Sequence, residues 1–307
     1  MKSVSVSPPW AALVVAVSAW ACDDPLKKTE LVEEPRVLAA RIEVEGEPER
    51  AAPFPGESAT VRFLVAAPEL EPALGFALVA CHSAPSNVGL PSCHSAPFAE
   101  SERLEPVPGA PALSFELPEP DAGAPKARLL VKGVICPNGA PRVSDDPGRC
   151  ASGDHALPVV LEAELASSED ANLNPSFATA DVTFDAESLP EAELSGDCAG
   201  SGLLEVPAKS KHRLRFEFPE SARDRVPKEN AYDPDRESLL VSHFSSGGEL
   251  GRAFSPIPYD RAEISTEVEW TAPDSSASAG LLVRFWFVVR DLRGGSDFIE
   301  RAVCVVP

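Results

Sequence analysis

The chain has 307 residues, of which 48 are acidic and 27 are basic, and its formal net charge is −21 at pH 7. A charge of that sign and size repels phosphate backbones, which excludes nucleic acid as a natural partner. Proline contributes 32 residues, about twice its usual share of roughly 5%. This density disfavours long helices and favours many short strands joined by stiff loops.

The first 21 residues have the organisation of an export signal. Lys2 supplies a positive charge, and an uncharged apolar run of 12 residues (WAALVVAVSAWA) follows at 10–21. This run is shorter than the roughly 20 apolar residues that a membrane-spanning helix needs. It fits the hydrophobic region of a signal peptide, predicted here over residues 1–21, which would place the mature chain outside the cytoplasm.

Cys22 follows this run directly and leaves two processing routes open. Cleavage after Ala21 would release a soluble exported protein, or Cys22 would become the lipid-modified first residue of a lipoprotein. Ala19 and Trp20 match a lipobox only loosely, because lipoboxes usually carry Leu three residues before the cysteine and a small residue two before it. Lipidation is favoured because residues 22–35 are typical of a polar, flexible tether. An odd cysteine in an exported chain also calls for an explanation, and this chain has seven.

Six cysteines remain once Cys22 is assigned to lipid, and these can pair completely. They are Cys81, Cys93, Cys136, Cys150, Cys198 and Cys304. In an oxidising compartment such spacings predict disulfides, and proximity favours pairing in sequence order. Six cysteines allow many pairings, so the arrangement 81–136 with 93–150, which would staple two long loops together, stays open.

Alternating apolar residues predict a first domain over residues 36–168. In its first strand, 36–45 (RVLAARIEVE), alternate residues would share one face, namely Leu38, Ala40, Ile42 and Val44. Further strands are predicted at 58–66, 73–81, 112–117, 127–136 and 157–166. Short strands separated by loops that contain Pro and Gly indicate an antiparallel sandwich.

A polar stretch at 167–176 (SSEDANLNPS) separates this domain from a second, predicted over residues 174–307. The second domain repeats the pattern, with its cleanest alternation at 211–218 (KHRLRFEF). The other predicted strands are 177–184, 238–244, 264–271, 280–290 and 297–306. A Gly-Gly hairpin turn would join the last two strands, and 219–236 is predicted to be a charged loop with one helical turn.

Three stretches of the second domain carry a resemblance to a protein family: LLVSHFSSGGEL (239–250), TEVEWTAP (266–273) and VRFWFVVRDLRGG (283–295). They resemble blocks of immunoglobulin-like domains in envelope lipoproteins of GC-rich Gram-negative bacteria. The resemblance covers mainly residues 174–307 and is weaker over residues 36–68. His243 departs from it, because an aromatic residue such as Trp is expected at that position. It implies an all-β fold of two tandem immunoglobulin-like antiparallel β-sandwiches, and it implies no catalytic residue.

A metal site is the alternative use of the first two cysteines. Cys81-His82 and Cys93-His94 offer two thiolates and two imidazoles, a donor set that zinc could take. Adjacent Cys-His pairs rarely direct both side chains at one point, however, so disulfides are favoured. No metal or other cofactor is predicted.

Paired carboxylates offer oxygen ligands to calcium, although no complete calcium-loop pattern is present. The pairs are Asp145-Asp146, Asp233 with Asp235, and Glu267 with Glu269. The last pair fits more simply the solvent face of a strand whose inward residues are Val268 and Trp270. Trp286 is likewise assigned to a core or a hairpin face.

The chain contains none of the G-x-S-x-G, H-E-x-x-H, Walker or dinucleotide-binding motifs, so no catalytic residue is predicted. We therefore predict a non-enzymatic cell-envelope lipoprotein, held at the outer membrane by lipid on Cys22, that acts as a binding or structural module. Its partner would be an envelope protein or a polysaccharide. The alternatives are a carbohydrate- or calcium-binding surface module, a soluble exported protein and a periplasmic hydrolase of unfamiliar type.

Overall fold

A computed structural model describes residues 28–68, 72–83, 89–119, 128–142, 149–151, 155–166, 172–189, 198, 202–226, 235–277 and 279–307. In these ranges the secondary structure is seventeen β-strands and two short 3-10 turns, which confirms the predicted all-β class. None of the described residues forms a helix long and apolar enough to cross a membrane. The predicted signal at 1–21 and Cys22 lie outside the described ranges.

The first domain (domain 1) is a sandwich of seven strands. They are β1 (Arg36–Val44), β2 (Ser58–Ala66), β3 (Leu74–Ser83), β4 (Ala99–Val107), β5 (Ala112–Glu116), β6 (Arg128–Pro137) and β7 (Leu157–Glu164). One sheet has the order β1-β2-β5 and the other β4-β3-β6-β7, and all neighbours are antiparallel. Sequence reasoning missed only β4, because this edge strand (AESERLEPV) has no buried residue and therefore no apolar face to recognise.

The second domain (domain 2) contains the remaining strands. They are β8 (Asp181–Phe184), β9 (Glu187–Ser188), β10 (Leu204–Pro207), β11 (Lys211–Glu217), β12 (Leu239–Ser245), β13 (Glu249–Leu250), β14 (Phe254–Ile257), β15 (Ser265–Thr271), β16 (Leu281–Arg290) and β17 (Ser296–Val306). One sheet has the order β10-β17-β16-β12-β14 and the other β13-β15-β11-β8-β9. The strand predicted at 177–184 is wrong in its first half, because the Ser176 hydroxyl caps a 3-10 turn at Phe177–Thr179.

Domain 2 has the strand arrangement of the immunoglobulin fold. Strands β8, β11, β15 and β13 take the places of A, B, E and D, and β12, β16 and β17 take those of C, F and G. Antibody domains have a B–F disulfide and a Trp on strand C in the centre of the sandwich. Here Phe216 and Phe287 meet edge to face, with ring centroids 4.8 Å apart, and the His243 ring lies 5.2 Å from Phe216. An aromatic pair and a buried histidine thus replace that disulfide and its tryptophan.

The two domains pack sheet against sheet. The outer face of β1 and β2 contributes Leu38, Ala39 and Ala66, and the outer face of β16 contributes Trp286 and Val288. On the opposite face of β16, Phe285 and Phe287 lie in the core of domain 2. Strand β16 is therefore buried on both faces, which accounts for its nearly unbroken apolar sequence.

A bulge in β1 makes this packing possible. The pairing of β1 with β2 shifts register between Val37 and Ala39. Beyond the bulge Ala40 and Ile42 face the core of domain 1, whereas Leu38 faces Trp286. The prediction that Leu38 shares a face with Ile42 is therefore wrong, because one extra residue reverses the alternation.

The predicted flexible tether extends too far. Of the segment 22–35, residues 28–35 are described, and contacts with domain 2 run from Lys28 to Val32. Val32 is only 1% exposed in the cluster between the domains, and the Val32 amide donates to the Ser245 carbonyl at 2.8 Å. The tether prediction is wrong for residues 30–32, because Leu31 forms an isolated bridge with Ser245 at the end of β12 and Val32 is buried.

Candidate functional site

Side chains from outside domain 1 close the free edge of β1. An uncovered strand edge presents unpaired carbonyl and amide groups to any passing chain. Three carbonyls on alternate residues of β1 accept side-chain hydrogen bonds: Leu38 from Arg290 at 2.6 Å, Ala40 from Ser296 at 2.6 Å, and Ile42 from Asn174 at 2.8 Å. Domain 2 and the connection between the domains therefore take the place of a neighbouring strand.

Asn174 joins three parts of the molecule. Its side-chain amide also donates to the Arg50 carbonyl at 3.2 Å, and its Oδ1 accepts from the Ser296 amide at 3.0 Å. The residue is only 6% exposed. The stretch 167–176 predicts a domain boundary by its polar composition. Its Asn174 is instead a buried residue that makes several hydrogen bonds, which the composition did not reveal.

We expect Asn174→Ala to lower the free energy of unfolding by roughly 2 to 3 kcal/mol, because it leaves buried backbone groups of both domains without partners. Urea unfolding monitored by circular dichroism measures the loss. The control is Leu173→Ala, whose side chain is partly exposed and whose backbone pairing with Arg50 is unchanged. Equal losses for the two variants would contradict a special role for the amide.

Two carboxyl groups, those of Glu237 and Asp291, are buried beside this connection. Glu237 is 3% exposed, pairs with Arg293 at 2.6 Å and accepts from the Asp224 amide at 3.1 Å. Asp291 accepts from the Asn172 side chain at 2.7 Å and from the backbone amide of Arg293 at 2.7 Å. Hydrogen bonds therefore hold the Asp291 carboxyl at the start of the β16–β17 turn and the Glu237 carboxyl in the loop that precedes β12.

Burial and mutual repulsion shift the ionisation of this pair. Burial, together with the negative charge of Asp291, raises the pKa of Glu237 to about 7. Burial also raises the pKa of Asp291. Across the described ranges no group of three or more His, Cys, Asp or Glu side chains is arranged to hold a metal ion. The raised pKa makes Glu237 a group whose protonation is coupled to folding.

We expect Glu237→Gln to remove the contribution by which protonation of Glu237 stabilises the folded state on mild acidification. Glu237 ionises near pH 4.5 in the unfolded chain and near pH 7 in the folded protein, so between these values the folded state binds more protons. The free energy of unfolding then falls as the pH rises through this window, by roughly 2 to 3 kcal/mol in total. Chemical unfolding at pH 4.5, 6 and 7.5 checks this. The control Glu267→Gln, on the exposed sheet face, should keep the wild-type dependence.

An open groove of about 710 Å³ runs along the exposed face of β8, β11 and β15. Its charged lining comprises Asp185, Lys211, Arg213, Arg215, Glu267 and Glu269. The charges pair across the strands, since Lys211 lies 3.0 Å from Glu269. Val268 and Trp270 point into the core, as the sequence predicts, so the groove has a polar floor without a stacking tryptophan.

Three polar side chains meet at one end of this groove. His212 Nδ1 lies 2.7 Å from Asp185, and His212 Nε2 lies 2.5 Å from the Ser210 hydroxyl. Burial opposes ionisation of Asp185, but hydrogen bonds from His212 and the Arg213 amide hold the pKa of this carboxyl below its usual value. No sequence motif signals the group, because Asp185 is 27 residues from His212 along the chain.

The contacts of this group differ from those of a catalytic triad. The Ser210 hydroxyl donates its single hydrogen to the Pro207 carbonyl. Its oxygen can then only accept from His212, whereas a nucleophilic serine must give its proton to the histidine. The group therefore fastens the β10–β11 turn to the β8–β9 turn.

The six cysteines form three disulfides, which confirms that prediction. They pair in sequence order, as Cys81–Cys93, Cys136–Cys150 and Cys198–Cys304. Zinc binding by Cys81 and Cys93 is thereby contradicted, because sulfurs bonded to each other cannot act as thiolate ligands. Three disulfides indicate a chain that folds in an oxidising, extracytoplasmic compartment.

Those of the other predicted ligands that the structure describes do not assemble into a metal site. His82 packs against Phe98, with ring centroids 5.3 Å apart, and His94 is exposed. Of the acidic pairs, Asp145, Asp146 and Asp233 lie outside the described residues. Glu267 and Glu269 line the groove on the exposed face, as predicted for a solvent-facing pair.

No protein-family model and no curated protein matches the chain. Among solved structures, the chain is similar to a Salmonella alpha-2-macroglobulin reacted with methylamine, with a TM-score of 0.24 and 10% identity over 92% of this chain and 16% of that one. It is also similar to the Enterococcus faecalis MSCRAMM ACE, described as binding its ligands by the collagen hug model, with a TM-score of 0.21 and 10% identity over 91% of this chain and 97% of that one. The chain thus spans only a small part of the first of these proteins.

Proposed function

We propose that this chain is a non-enzymatic cell-envelope lipoprotein that acts as a binding or structural module. Lipid on Cys22 would hold it at the outer membrane, after removal of the signal at 1–21. The three disulfides support an extracytoplasmic site of action. Its partner would be an envelope protein or a polysaccharide.

The joint between the domains carries this proposal. Trp286 and Val288 are fully buried against domain 1, and three side chains cover the edge of β1. Domains joined only by a linker are expected to move relative to each other, whereas an apolar joint of this kind restrains them. A restrained pair of sandwiches holds its surfaces at a fixed orientation, as a scaffold or a binding module requires.

The groove on β8, β11 and β15 is the surface that we assign to the partner. It is large enough for a peptide or several sugar units, and it offers charges of both signs. Exposed charges of this kind are screened by salt. Binding through the groove should therefore weaken as the ionic strength rises.

The anchor is tested by expressing the full chain in a Gram-negative host and fractionating the cells. Mass spectrometry of the N-terminal peptide should show acyl chains on residue 22, and the protein should sediment with outer membranes. Cys22→Ser is the matched variant and should appear in the soluble periplasmic fraction. An unmodified Cys22, or a wild-type protein that fractionates like the variant, would overturn the lipoprotein assignment.

The binding role is tested with a photo-crosslinking amino acid at Arg213, in the groove, and at Arg62, on an exposed face of domain 1. Envelope material should crosslink at position 213 and not at position 62, and added salt should reduce the yield. Equal crosslinking at both positions would contradict a binding surface in the groove.

A further inference from the structure

The chain enters the folded body beside domain 2, although domain 1 comes first in the sequence. Lys28 pairs with Glu249 at 2.6 Å. Two backbone hydrogen bonds then fix the next residues on β12, from Val32 to Ser245 at 2.8 Å and from Ser245 to Glu30 at 2.9 Å. The N-terminal segment therefore emerges at the end of β12 and not at a free end of domain 1.

Several turns of domain 2 meet at this point, which we call the basal end. It comprises the β10–β11 turn (208–210), the β12–β13 turn (246–248) and the start of the β15–β16 connection (272–274). The Trp270 indole donates to the Gly247 carbonyl at 3.0 Å, and the Ala272 amide donates to the Ser210 carbonyl at 2.9 Å. These bonds hold the three turns together as one surface.

The β16–β17 hairpin tip (291–295) lies at the opposite end of domain 2. Leu281, the first residue of β16, pairs with Val305 near the basal end, and Arg290, its last residue, pairs with Ser296 at the tip. A strand of this length spans roughly 30 Å. The basal end and the hairpin tip are thus separated by about the length of the domain.

A lipid on Cys22 would lie close to the basal end. The chain from Cys22 to Lys28 can extend over at most about 20 Å, whatever its conformation. That reach is shorter than the domain, so the membrane surface must approach the basal end.

The charge distribution favours the same orientation. Three of the four lysines in the described ranges are at or beside the basal end, namely Lys28, Lys209 and Lys211. All three ammonium groups are exposed, although each has a carboxylate near it. These lysines bring positive charge to the basal end of a chain whose formal net charge is −21, and a lysine near an anionic lipid surface gains about 1 kcal/mol.

We propose that the basal end of domain 2 faces the membrane and rests on anionic lipid headgroups, while the hairpin tip points away from it. This orientation rests on the proposed lipid anchor at Cys22. In this orientation domain 2 contacts the membrane through its basal end, although domain 1 is the first domain after residue 22 in the sequence.

The test uses the full acylated protein in vesicles of phosphatidylethanolamine and phosphatidylglycerol that carry a headgroup acceptor dye. A donor dye is attached through a genetically encoded reactive amino acid, which spares the disulfides, at Lys209 or at Leu292. Both residues are largely exposed. Energy transfer from position 209 should exceed that from position 292 by about two-fold or more, given a separation of roughly 30 Å.

Equal transfer, or stronger transfer from position 292, would overturn the orientation. Flotation of the vesicles and mass spectrometry of residue 22 precede the measurement. A protein without acyl chains that does not float refutes the anchor and the orientation together. A protein that is acylated and floats, but transfers more strongly from position 292, refutes the orientation alone.

Discussion

Replacing both cysteines of the Cys198–Cys304 disulfide by alanine should lower the free energy of unfolding of domain 2 by about 5 kcal/mol. The cysteines are 106 residues apart, and in the chain-entropy model closing a loop of that size restricts the unfolded chain by about this amount. The bond ties the last strand of the domain to the segment before β10. Guanidinium unfolding measures the loss, followed by tryptophan fluorescence for domain 2, which contains Trp270 and Trp286, and by far-UV circular dichroism for both domains.

The disulfide of domain 1 provides the matched control. Cys81 and Cys93 are 12 residues apart, so the same model gives about 3 kcal/mol for the corresponding pair of alanines. The two double variants should therefore differ by roughly 2 kcal/mol, with the larger loss in domain 2. A larger loss in domain 1 would show that loop length does not govern the contribution of these bonds.

Gly280, beside this disulfide, should not tolerate substitution by a larger residue. Gly280 has a φ of +76°, and a Cβ at this position would lie 2.7 Å from the Cys304 sulfur. The close approach and the left-handed backbone both require glycine. The sulfur pair and the turn before β16 therefore form one packed unit.

His243→Phe, combined with Ser255→Ala, should abolish the contribution, roughly 5 kcal/mol, by which titration of His243 destabilises the folded state between pH 6.5 and about pH 3. His243 is completely buried, and burial lowers its pKa to about 3. Its Nε2 lies 2.9 Å from the Ser255 hydroxyl, and its Nδ1 has no hydrogen-bond partner among the described residues. The double variant removes the titrating ring and the hydroxyl that it would leave unpaired.

The sign follows from the protons bound in each state. Below pH 6.5 the unfolded chain protonates His243, whereas the folded protein keeps the ring neutral until about pH 3. The unfolded state therefore binds more protons in this window, and the free energy of unfolding falls as the pH falls. Unfolding curves of the wild type and the double variant at pH 4, 5, 6 and 7.5 should diverge toward acid. Parallel curves would show that His243 is protonated in the folded state.

The replacement also fits the space. Phe216 and Phe287 surround the His243 ring, with centroids 5.2 Å and 6.2 Å from it. A phenyl ring can make similar aromatic contacts without a polar atom to desolvate. The double variant should consequently be at least as stable as the wild type at pH 7.5.

Glu237 and His243 act in opposite directions across mildly acidic pH. Between pH 4.5 and 6.5, acidification stabilises the folded state through Glu237 and destabilises it through His243. The two contributions offset each other in the wild type. The separate variants should therefore show steeper pH dependences, of opposite sign, than the wild-type protein.

Strands whose side chains alternate between an apolar core and another environment could be predicted from the sequence. The boundaries of β2 and β11 follow from period-two patterns that the structure reproduces within a residue. The exposed edge strand β4 and the four-residue strands β10 and β14 were missed. Such strands are defined by hydrogen bonds to a neighbour that lies far away in the sequence, and they bury too little apolar surface to leave a pattern.

The fold class, the pool of cysteines and the inward side of most strands were determined by the sequence alone, because each depends on composition or on local periodicity. The tertiary structure decided that Leu38 faces the second domain, that residues 28–32 lie on β12, and that Asn174 joins both domains. It also brought Asp185 to His212 and Asp291 to Glu237. Periodicity shows that a face is apolar but not which surface covers it, and the partner of a buried polar group is chosen by a chain approaching from elsewhere in the fold.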